Sequence, residues 1–439
     1  MSDLAAAVAA CAPADLLPAR AAGGSDHVRL RLIDGWHLGR LPGGTGWLLI
    51  VDGTLDSPSD PLIVPAIERA GVLRRARPGD GVAAALLRAV DSGEFHISRP
   101  TDEPPTLLAE ATERPITVDQ TNESVVVGEV QVVKWQRQAA PSPAPARLAA
   151  LARASAGQPG GALTPTVRAV ITWRDLLLAT AVDYLPDAQD GWTWAVECVR
   201  DHVHGGRVDP FTVIADLGAM VARMHLAFAA DGVGWAEADT IAGWLADAEA
   251  DLDAALAVTS GPEGERLAGF APLIRADLAA LGTIDRTPVI PCHGDLHIGQ
   301  VLQADGRLWL TDFDGNPILP AASRAAPQPP VRDVAGMLAS LDHVGRVVLH
   351  RTPGVAAQPV RRWIARAQQR WMAAYRQVLA EGDAALLDDR LLLPLLIATE
   401  CREYRYAAAF LPHWVYVPDA ALVDRYARRA ALADSVGGA

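Results

Sequence analysis

Two neighbouring stretches decide the fold: Ile290-Pro-Cys-His-Gly-Asp-Leu-His-Ile-Gly-Gln300 and Leu308-Trp-Leu-Thr-Asp-Phe-Asp-Gly-Asn-Pro317. The first is a turn that carries a carboxylate at Asp295 and a side-chain amide five residues later at Gln300. The second is a short apolar strand followed by two more carboxylates. Phosphoryl transfer from a nucleotide needs a carboxylate that accepts a hydroxyl proton, and oxygens that hold Mg2+ on the phosphates. The two stretches therefore predict phosphoryl-transfer chemistry.

The spacing of these groups follows that of the protein-kinase catalytic and metal-binding loops. There an Asp and an Asn are five residues apart, and the metal-binding Asp precedes Phe-Gly. Here Gln300 replaces the Asn, and the triplet is Asp312-Phe-Asp314. Surface polarity and helix capping are the alternative explanation. Two polar clusters on either side of one apolar strand favour the functional one.

Composition restricts the classes of partner. The chain has 439 residues and a formal net charge of -13, which argues against nucleic acid because its binding depends on basic surface. The four cysteines are scattered and form no CxxC pair, so neither a zinc site nor a disulfide framework is indicated. The N-terminus lacks the basic region of a signal peptide, and we find no apolar run of the ~18 residues that span a membrane. We expect a cytoplasmic protein without a membrane partner, either a monomer or a weak homodimer.

The hydrophobic patterning predicts an α+β fold in three parts. Residues 1–95 alternate like strands and end in a helical stretch, with no catalytic constellation, which favours a cap subdomain. Residues 96–185 are rich in predicted strands and form the expected nucleotide-binding lobe. Residues 186–439 show mostly the i, i+3/i+4 periodicity of helices and contain the catalytic stretch.

Lys134 is the only lysine in the chain, beside 38 arginines. It falls on the second strand of a predicted hairpin, after the polar turn that ends at Ser124. A compact ammonium suits a site into which the fork of a guanidinium does not fit, although a composition bias toward arginine explains the count equally well. In a kinase small lobe such a turn covers the phosphates and the strand lysine contacts them. The turn here lacks the G-x-G-x-x-G pattern.

The whole pattern resembles the aminoglycoside-phosphotransferase-like kinases, and within them the actinobacterial maltokinase-related group. The matching pieces are Val182-Asp-Tyr-Leu-Pro186 with Asp190-Gly-Trp192, the stretch His293–Gln300, and Arg332-Asp-Val-Ala-Gly-Met-Leu338. Maltokinases have Asp-Phe-Glu-Gly-Glu-Pro where this chain has Asp312-Phe-Asp-Gly-Asn-Pro317, a form that resembles the glucosamine kinases of the group. The resemblance extends from about Ser124 to the C-terminus and implies a bilobal protein-kinase-like fold behind the cap.

The resemblance also implies roles for individual residues. Asp295 matches the catalytic base, Gln300 and Asp312 match the magnesium ligands, and Asp314 is the candidate for a second ion. Lys134 matches the lysine that contacts the phosphates of ATP. Such a lysine is usually oriented by a glutamate on the following helix, which is missing here, so Glu123 and Glu129 are the substitutes considered. Val182-Asp-Tyr-Leu-Pro186 resembles the hinge between the two lobes of a kinase, where main-chain groups receive adenine, and is called the hinge-like segment. The nucleotide-binding set is completed by Ser124 of the polar turn and by three residues of this segment, Asp183, Tyr184 and Leu185.

The acceptor is predicted to be a small amino sugar, with transfer of the γ-phosphoryl of ATP to the 6-OH of D-glucosamine. Glu400 and Glu403 fall three residues apart on one predicted helix, and an aromatic stretch with Trp414 follows. Carboxylates suit the hydroxyls and the cation of such a sugar, and an aromatic residue forms a wall. His297 is assigned to the same site, although a histidine in this position is more often structural than catalytic. The alternative for the two glutamates is a solvated face paired with Arg402 and Arg405.

Three other functions remain open from the sequence. A different acceptor, maltose or an aminoglycoside antibiotic, would use the same motifs. An inactive nucleotide-binding scaffold is supported by the missing helix glutamate and opposed by the complete set of motif residues. A metal hydrolase is suggested by His293 and His297, which alternate with Asp295, but it leaves the stretch from Thr311 to Pro317 unexplained. Asp333 is expected to cap or brace the predicted catalytic loop, His293–Gln300.

Overall fold

The computed structural model of the chain divides into two compact units. Unit 1 comprises Met1–Asp187 and Leu319–Arg324, and unit 2 comprises Ala188–Ile318 and Ala325–Ala439. Helices and strands together confirm the predicted α+β class. The structure describes residues 2–17, 29–52, 61–90, 95–101, 104–106, 111–116, 123–156 and 161–437, with side chains described from residue 3 to residue 426 of these ranges.

Unit 1 is built on one antiparallel sheet of ten described strands. Their order is β1-β2-β3-β8-β10-β9-β5, with β4 paired to β3, β7 to β8 and β6 to β7. The strands are β1 Arg31–Leu41, β2 Gly44–Asp52, β3 Leu62–Arg69, β4 Val72–Arg75, β5 His96–Ser98, β6 Glu113–Pro115, β7 Glu123–Val127, β8 Gln131–Ala140, β9 Val167–Trp173 and β10 Leu176–Asp183. The described helices of this unit are α1 Ser2–Ala10, α2 Pro13–Leu16, α3 Val82–Ala89 and α4 Ala144–Ser155.

The first predicted part of the chain shares this sheet with the second. Strand β3 pairs with β8 through Leu62 and Gln138, so residues before and after position 95 belong to one hydrogen-bonded layer. The separate cap at residues 1–95 stays a prediction. Its first strand, Arg31–Leu41, is long and continues through two register shifts against β2.

The hairpin β7–β8 forms as predicted, and its two faces differ. Val125 and Val133 pair across the hairpin and lie in a buried core with Leu86 of α3. On the other face Ser124 pairs with Lys134, and Lys134 pairs with Thr180 of β10. Directly opposed residues of antiparallel strands share a face. The lysine therefore lies on the face opposite the core, beside two hydroxyl side chains.

Unit 2 is mainly helical, as predicted, and has two small hairpins. Its strands are β11 Gly234–Glu237, β12 Arg286–Val289, β13 Val301–Ala304 and β14 Arg307–Leu310. The helices that follow α4 are α5 Gly191–Val203, α6 Pro210–Ala229, α7 Ala238–Val258, α8 Gly261–Leu278, α9 Ala321–Ala325, α10 Val331–Arg351, α11 Ala357–Glu381, α12 Leu392–Phe410 and α13 Tyr416–Gly437; α9 begins in unit 1.

Helix α6 is long and apolar enough to cross a membrane by length and composition. Its sequence is not an uninterrupted apolar run, because it contains Asp216 and Arg223. About 61% of its most apolar window is buried inside the protein. Its apolar residues pack in the helical core, which is the behaviour of a buried helix in a folded domain.

Candidate active site

A hairpin places the two predicted motifs next to each other. Strands β13 and β14 pair in register from Ala304–Arg307 to Val301–Leu310. One residue further on, the Thr311 N–H donates to the Gln300 carbonyl at 2.9 Å and the Thr311 hydroxyl donates to the same oxygen at 3.2 Å. The open end of this hairpin therefore brings together Gln300 and the segment that begins at Asp312.

Asp312 begins a compact turn that is rich in oxygen-bearing side chains. Its backbone has a φ of +62°, a left-handed conformation that Asp tolerates better than most residues. Phe313 is buried against His293, with ring centroids 5.0 Å apart. The side chains of Asp314 and Asn316 are each about 8% exposed. Carboxylate oxygens in this setting are the hard ligands that Mg2+ prefers.

Asp333 braces the catalytic loop from the first turn of helix α10, as the sequence predicted. Its carboxylate accepts hydrogen bonds from the His293 N–H at 2.7 Å and the Gly294 N–H at 2.9 Å. His225 Nε2 lies 3.1 Å from the same carboxylate, and His225 Nδ1 lies 2.7 Å from the Tyr375 hydroxyl. All these side chains are buried. The loop therefore rests on a chain of buried hydrogen bonds.

The pKa values of Asp295 and Asp333 are shifted in opposite directions. Desolvation raises the pKa of Asp295, against the positive charges of its histidine neighbours and of Arg402. Burial alone would also raise the pKa of Asp333, but the hydrogen bond from His225, nearby positive charge and the loop amides hold that pKa below its usual range. A carboxylate with a raised pKa is a better proton acceptor. Asp295 is thus suited to accept a proton, and Asp333 to stay ionised.

His297 contacts the catalytic loop itself. Its Nδ1 accepts the Gly299 N–H at 3.1 Å and caps the short helical turn Ile298–Gln300. Its Nε2 lies 3.3 Å from the side-chain amide of Gln300. The ring therefore orients the predicted metal ligand. The assignment of His297 to the acceptor stays a prediction.

The predicted acceptor residues on helix α12 differ in their surroundings. Glu400 is buried, about 2% exposed, and its carboxylate lies 3.0 Å from His343 Nε2 of helix α10. Glu403 is partly exposed. Arg405, considered as a partner for these glutamates, binds Asp251 of helix α7 instead. Glu403 therefore keeps the exposure that a ligand contact needs, while Glu400 is held in an internal ion pair.

Trp414 is connected to the catalytic loop through a residue that was not assigned to the site. Its ring makes an edge-to-face contact with Trp192, with centroids 5.4 Å apart. Trp192 in turn reaches Gly299, because its Nε1 lies 3.1 Å from where a Cβ on that glycine would be. The sequence contained the signal, since Asp190-Gly-Trp192 belongs to the matching pieces. Nothing in its pattern alone indicated contact with the loop.

The metal-hydrolase alternative finds no support among the described residues. The single group of histidine, cysteine and acidic side chains that converge there is His225, Cys292 and Asp333. All three are buried, and the Asp333 oxygens are engaged by the loop amides. His293 instead contacts the Thr311 carbonyl through Nε2 at 2.9 Å. This group is a brace for the loop.

The carboxylates considered as partners for Lys134 are engaged elsewhere in unit 1. Glu123 binds Arg75, and Glu129 binds Arg114 through two hydrogen bonds of 2.5 and 2.7 Å. Lys134 itself is partly buried. The neighbours that strand pairing gives it are hydroxyl side chains, as described above.

The hinge-like segment uses most of its polar groups within unit 1. Arg168 binds the Asp183 carboxylate through two hydrogen bonds of 2.6 and 2.8 Å. The Asp183 N–H donates to Thr166, and the Tyr184 N–H donates to Val130. The Leu185 N–H has no backbone acceptor among the described residues.

Comparison with known proteins identifies the family. No protein-family model matches the chain. It is 49% identical to a glucosamine kinase of Streptacidiphilus jiangxiensis over 82% of this chain and 85% of that one, and 40% identical to a glucosamine kinase of Mycolicibacterium smegmatis over 88% and 97%. Among solved structures, a glucosamine kinase in complex with glucosamine, ADP and inorganic phosphate is 44% identical, with a TM-score of 0.79 over 96% of this chain and 98% of the other. Another crystal form of a glucosamine kinase gives a TM-score of 0.84 at 44% identity over 96% and 99%. The chain belongs to the glucosamine kinase family.

Proposed function

We propose that the chain transfers the γ-phosphoryl group of ATP to the 6-OH of D-glucosamine and forms glucosamine 6-phosphate and ADP. The observation that carries this proposal is 49% identity to a glucosamine kinase over most of both chains. The hairpin that joins Gln300 to the Asp312 segment supports it, because it brings the residues proposed for phosphoryl transfer next to each other. ATP-dependent transfer to an alcohol group is the activity of the family.

Asp295 is the proposed catalytic base. The oxygen of the acceptor hydroxyl forms a bond to the γ-phosphorus, the bond from that phosphorus to the β–γ bridging oxygen breaks, and the hydroxyl proton passes to Asp295. The raised pKa of this carboxyl favours proton acceptance. Asp333 accepts the N–H groups of His293 and Gly294, the two residues before Asp295. This supports a position for the Asp295 carboxylate that is fixed before the acceptor binds.

Gln300 and Asp312 are the proposed ligands of Mg2+, and Asp314 is the proposed ligand of a second ion. The amide oxygen and the two carboxylates match the preference of this cation for hard oxygen donors. Bound Mg2+ would neutralise charge on the phosphates of the nucleotide. In this chain His297 orients Gln300, and the turn at Asp312 presents its carboxylate at the end of the hairpin.

Lys134 is the proposed phosphate contact in unit 1, with Ser124 beside it and the main chain at Asp183, Tyr184 and Leu185 proposed for adenine. Because the chain has one lysine, an acyl-phosphate derivative of ATP should acylate Lys134 and otherwise only the terminal amine. Peptide mapping should show the label at Lys134 and its loss with excess ATP. Labelling of that residue at an undiminished rate in the presence of ATP would contradict the assignment.

The acceptor site is proposed to include Glu403, Trp414 and His297. Glu400 remains in this proposal as a residue that acts from within its pair with His343. A carboxylate matches the ammonium of a 2-amino sugar, and an aromatic ring packs on the apolar face of the ring. Maltose and aminoglycoside antibiotics are not favoured, because the relatives of 49% and 40% identity are glucosamine kinases.

The finer organisation follows the sequence prediction. We propose a cap at residues 1–95, a β-rich nucleotide-binding lobe at 96–185 and a helical catalytic lobe at 186–439, as in bilobal kinases. A cytoplasmic monomer or weak homodimer that binds neither nucleic acid nor membranes is proposed on the net charge of -13 and the burial of helix α6.

A panel of acceptors scored by ADP release tests the function directly. Glucosamine should give the largest kcat/KM, above maltose, glucose and an aminoglycoside. Asp295→Asn should lower kcat at least ~100-fold while ATP binding is retained, since general-base catalysis contributes about that factor or more. Asp305→Asn is the matched control, because Asp305 is an exposed turn residue of the same hairpin. ATP binding without phosphorylation of any sugar would favour the inactive scaffold.

A further inference from the structure

Trp192 lies where helix α5 packs directly on the catalytic loop. The Asp190 carboxylate caps this helix by accepting the N–H groups of Trp192 and Thr193 at 3.0 and 3.1 Å. Gly191 touches the loop so closely that a Cβ there would overlap the Ile298 carbonyl oxygen. The start of the helix is therefore fixed against the loop that carries Asp295, and Trp192 is fixed with it.

Two tryptophans of this helix use their indole N–H groups differently. Trp194 is buried and donates from Nε1 to the Val301 carbonyl at 3.0 Å. Trp192 is partly exposed, and among the residues that the structure describes its backbone N–H is hydrogen-bonded whereas its Nε1 is not. A partly exposed indole N–H can donate to water or to a bound ligand. Trp194 thus anchors the helix, and Trp192 presents a donor beside the catalytic loop.

The ring of Trp192 also supports the proposed aromatic wall. It meets the Trp414 ring nearly at right angles, at an interplanar angle of 89°. Such an edge-to-face arrangement holds both rings in place. The donor at Nε1 therefore has a defined position relative to the loop on one side and to Trp414 on the other.

We propose that Trp192 is an acceptor-binding residue whose indole N–H donates a hydrogen bond to a hydroxyl oxygen of the sugar. This rests on the proposed function. The ammonium of glucosamine carries no lone pair, so an N–H donor cannot recognise it, and the donor must face a hydroxyl or ring oxygen. A carboxylate such as Glu403 then binds the ammonium group. Trp192 and the carboxylates divide the recognition of one amino sugar between them.

Trp192→Phe tests the proposal because it removes the N–H and keeps a ring against Trp414. The KM for glucosamine should rise about fivefold to tenfold, as expected for one lost neutral hydrogen bond, with kcat changed less than about twofold and the KM for ATP unchanged. Trp192→His, which retains a ring N–H, should recover part of the affinity. Trp235→Phe is the control, since Trp235 is exposed on strand β11 and its ring faces Arg286.

Deoxy analogues of glucosamine identify the hydroxyl. For one analogue, the KM of the wild-type enzyme should exceed its KM for glucosamine by the same factor as the KM of Trp192→Phe for glucosamine does. The wild type and the variant should then have equal KM values for that analogue. An unchanged KM in Trp192→Phe, or an equal loss with every analogue, would overturn the proposal. If the wild type does not phosphorylate glucosamine at all, the proposed function fails instead, and the two failures are distinguishable.

Discussion

Asp333→Asn should separate the support of the catalytic loop from the stability of the fold. The carboxylate is about 2% exposed and faces three hydrogen-bonding groups: the amides of His293 and Gly294, and His225 Nε2. An asparagine keeps one acceptor oxygen and turns an NH2 toward the rest. His225 can adapt by donating from Nδ1 to Tyr375 and accepting at Nε2, but one buried amide is left facing a donor. One unsatisfied buried group and the lost charge predict about 2–4 kcal/mol of destabilisation.

Turnover should fall even in the molecules of the variant that remain folded. A loop shifted by about 1 Å costs roughly 100-fold in rate, so kcat should fall by that order while the KM for ATP changes little. Urea unfolding gives the stability of the variant, and ADP release at 25 °C gives its kcat. Asp388→Asn is the matched control, because Asp388 caps another short turn of unit 2 and pairs with Arg390.

The control should lose stability without losing turnover. If Asp333→Asn retains wild-type kcat once its unfolded fraction is allowed for, the brace does not position Asp295 and the argument is wrong. The loss of folding stability at acid pH offers a second check. The pKa of Asp333 is lowered in the folded protein, so its contribution is present above the ordinary carboxyl pKa and is lost as pH falls through the lower folded value. The variant should lose that part of the acid dependence.

The remaining predictions concern packing and pH. Gly218→Ala should destabilise unit 2 by about 3 kcal/mol, because a methyl group there would overlap the Trp371 carbonyl oxygen. Gly243→Ala, with no atom within 4 Å of its Cβ, should instead stabilise its helix by about 0.5–1 kcal/mol. The midpoints of urea unfolding compare the two variants. Burial lowers the pKa of His343, but the Glu400 carboxylate outweighs this and raises it to about 9. The stabilisation from His343 should therefore be complete below its ordinary pKa of 6.5 and lost as pH rises through about 9, which Tm measured from pH 6 to 10 would show as a decline that His343→Gln lacks.

The hairpin that joins the two motifs was predictable because their spacing and their local geometry agree. Spacing indicated Asp295, Gln300 and Asp312, and one apolar strand between polar clusters indicated that a hairpin would join them. Strand pairing from Val301 to Leu310 is the short-range contact that this pattern implies. The resemblance to glucosamine kinases was confirmed by identity over most of the chain.

Pairings across long sequence separations were not predictable from the same patterns. Helical spacing put Glu400 and Glu403 on nearly one face, but it could not show that His343, 57 residues earlier, would bury one of them. Arg405 likewise pairs with Asp251, 154 residues away, rather than with its helical neighbours. Alternation in the first 95 residues gave strands but not the contact between Leu62 and Gln138 that joins them to the larger sheet.

The support of the catalytic loop shows why a functional surface can escape a search for apolar periodicity. Asp333, Gly336 and Ser340 fall at i, i+3 and i+7 of helix α10, so they lie on one face. Asp333 accepts the amides of His293 and Gly294, Ser340 Oγ accepts the Ile298 N–H at 2.9 Å, and a Cβ at Gly336 would lie 2.6 Å from the Leu296 carbonyl oxygen. The stripe has helical spacing, but its members are polar or small, so it interrupts the hydrophobic pattern. A loop that must expose its own carboxylate to a substrate cannot be held by burial alone, and one helix face supplies the hydrogen bonds and the close approach that hold it.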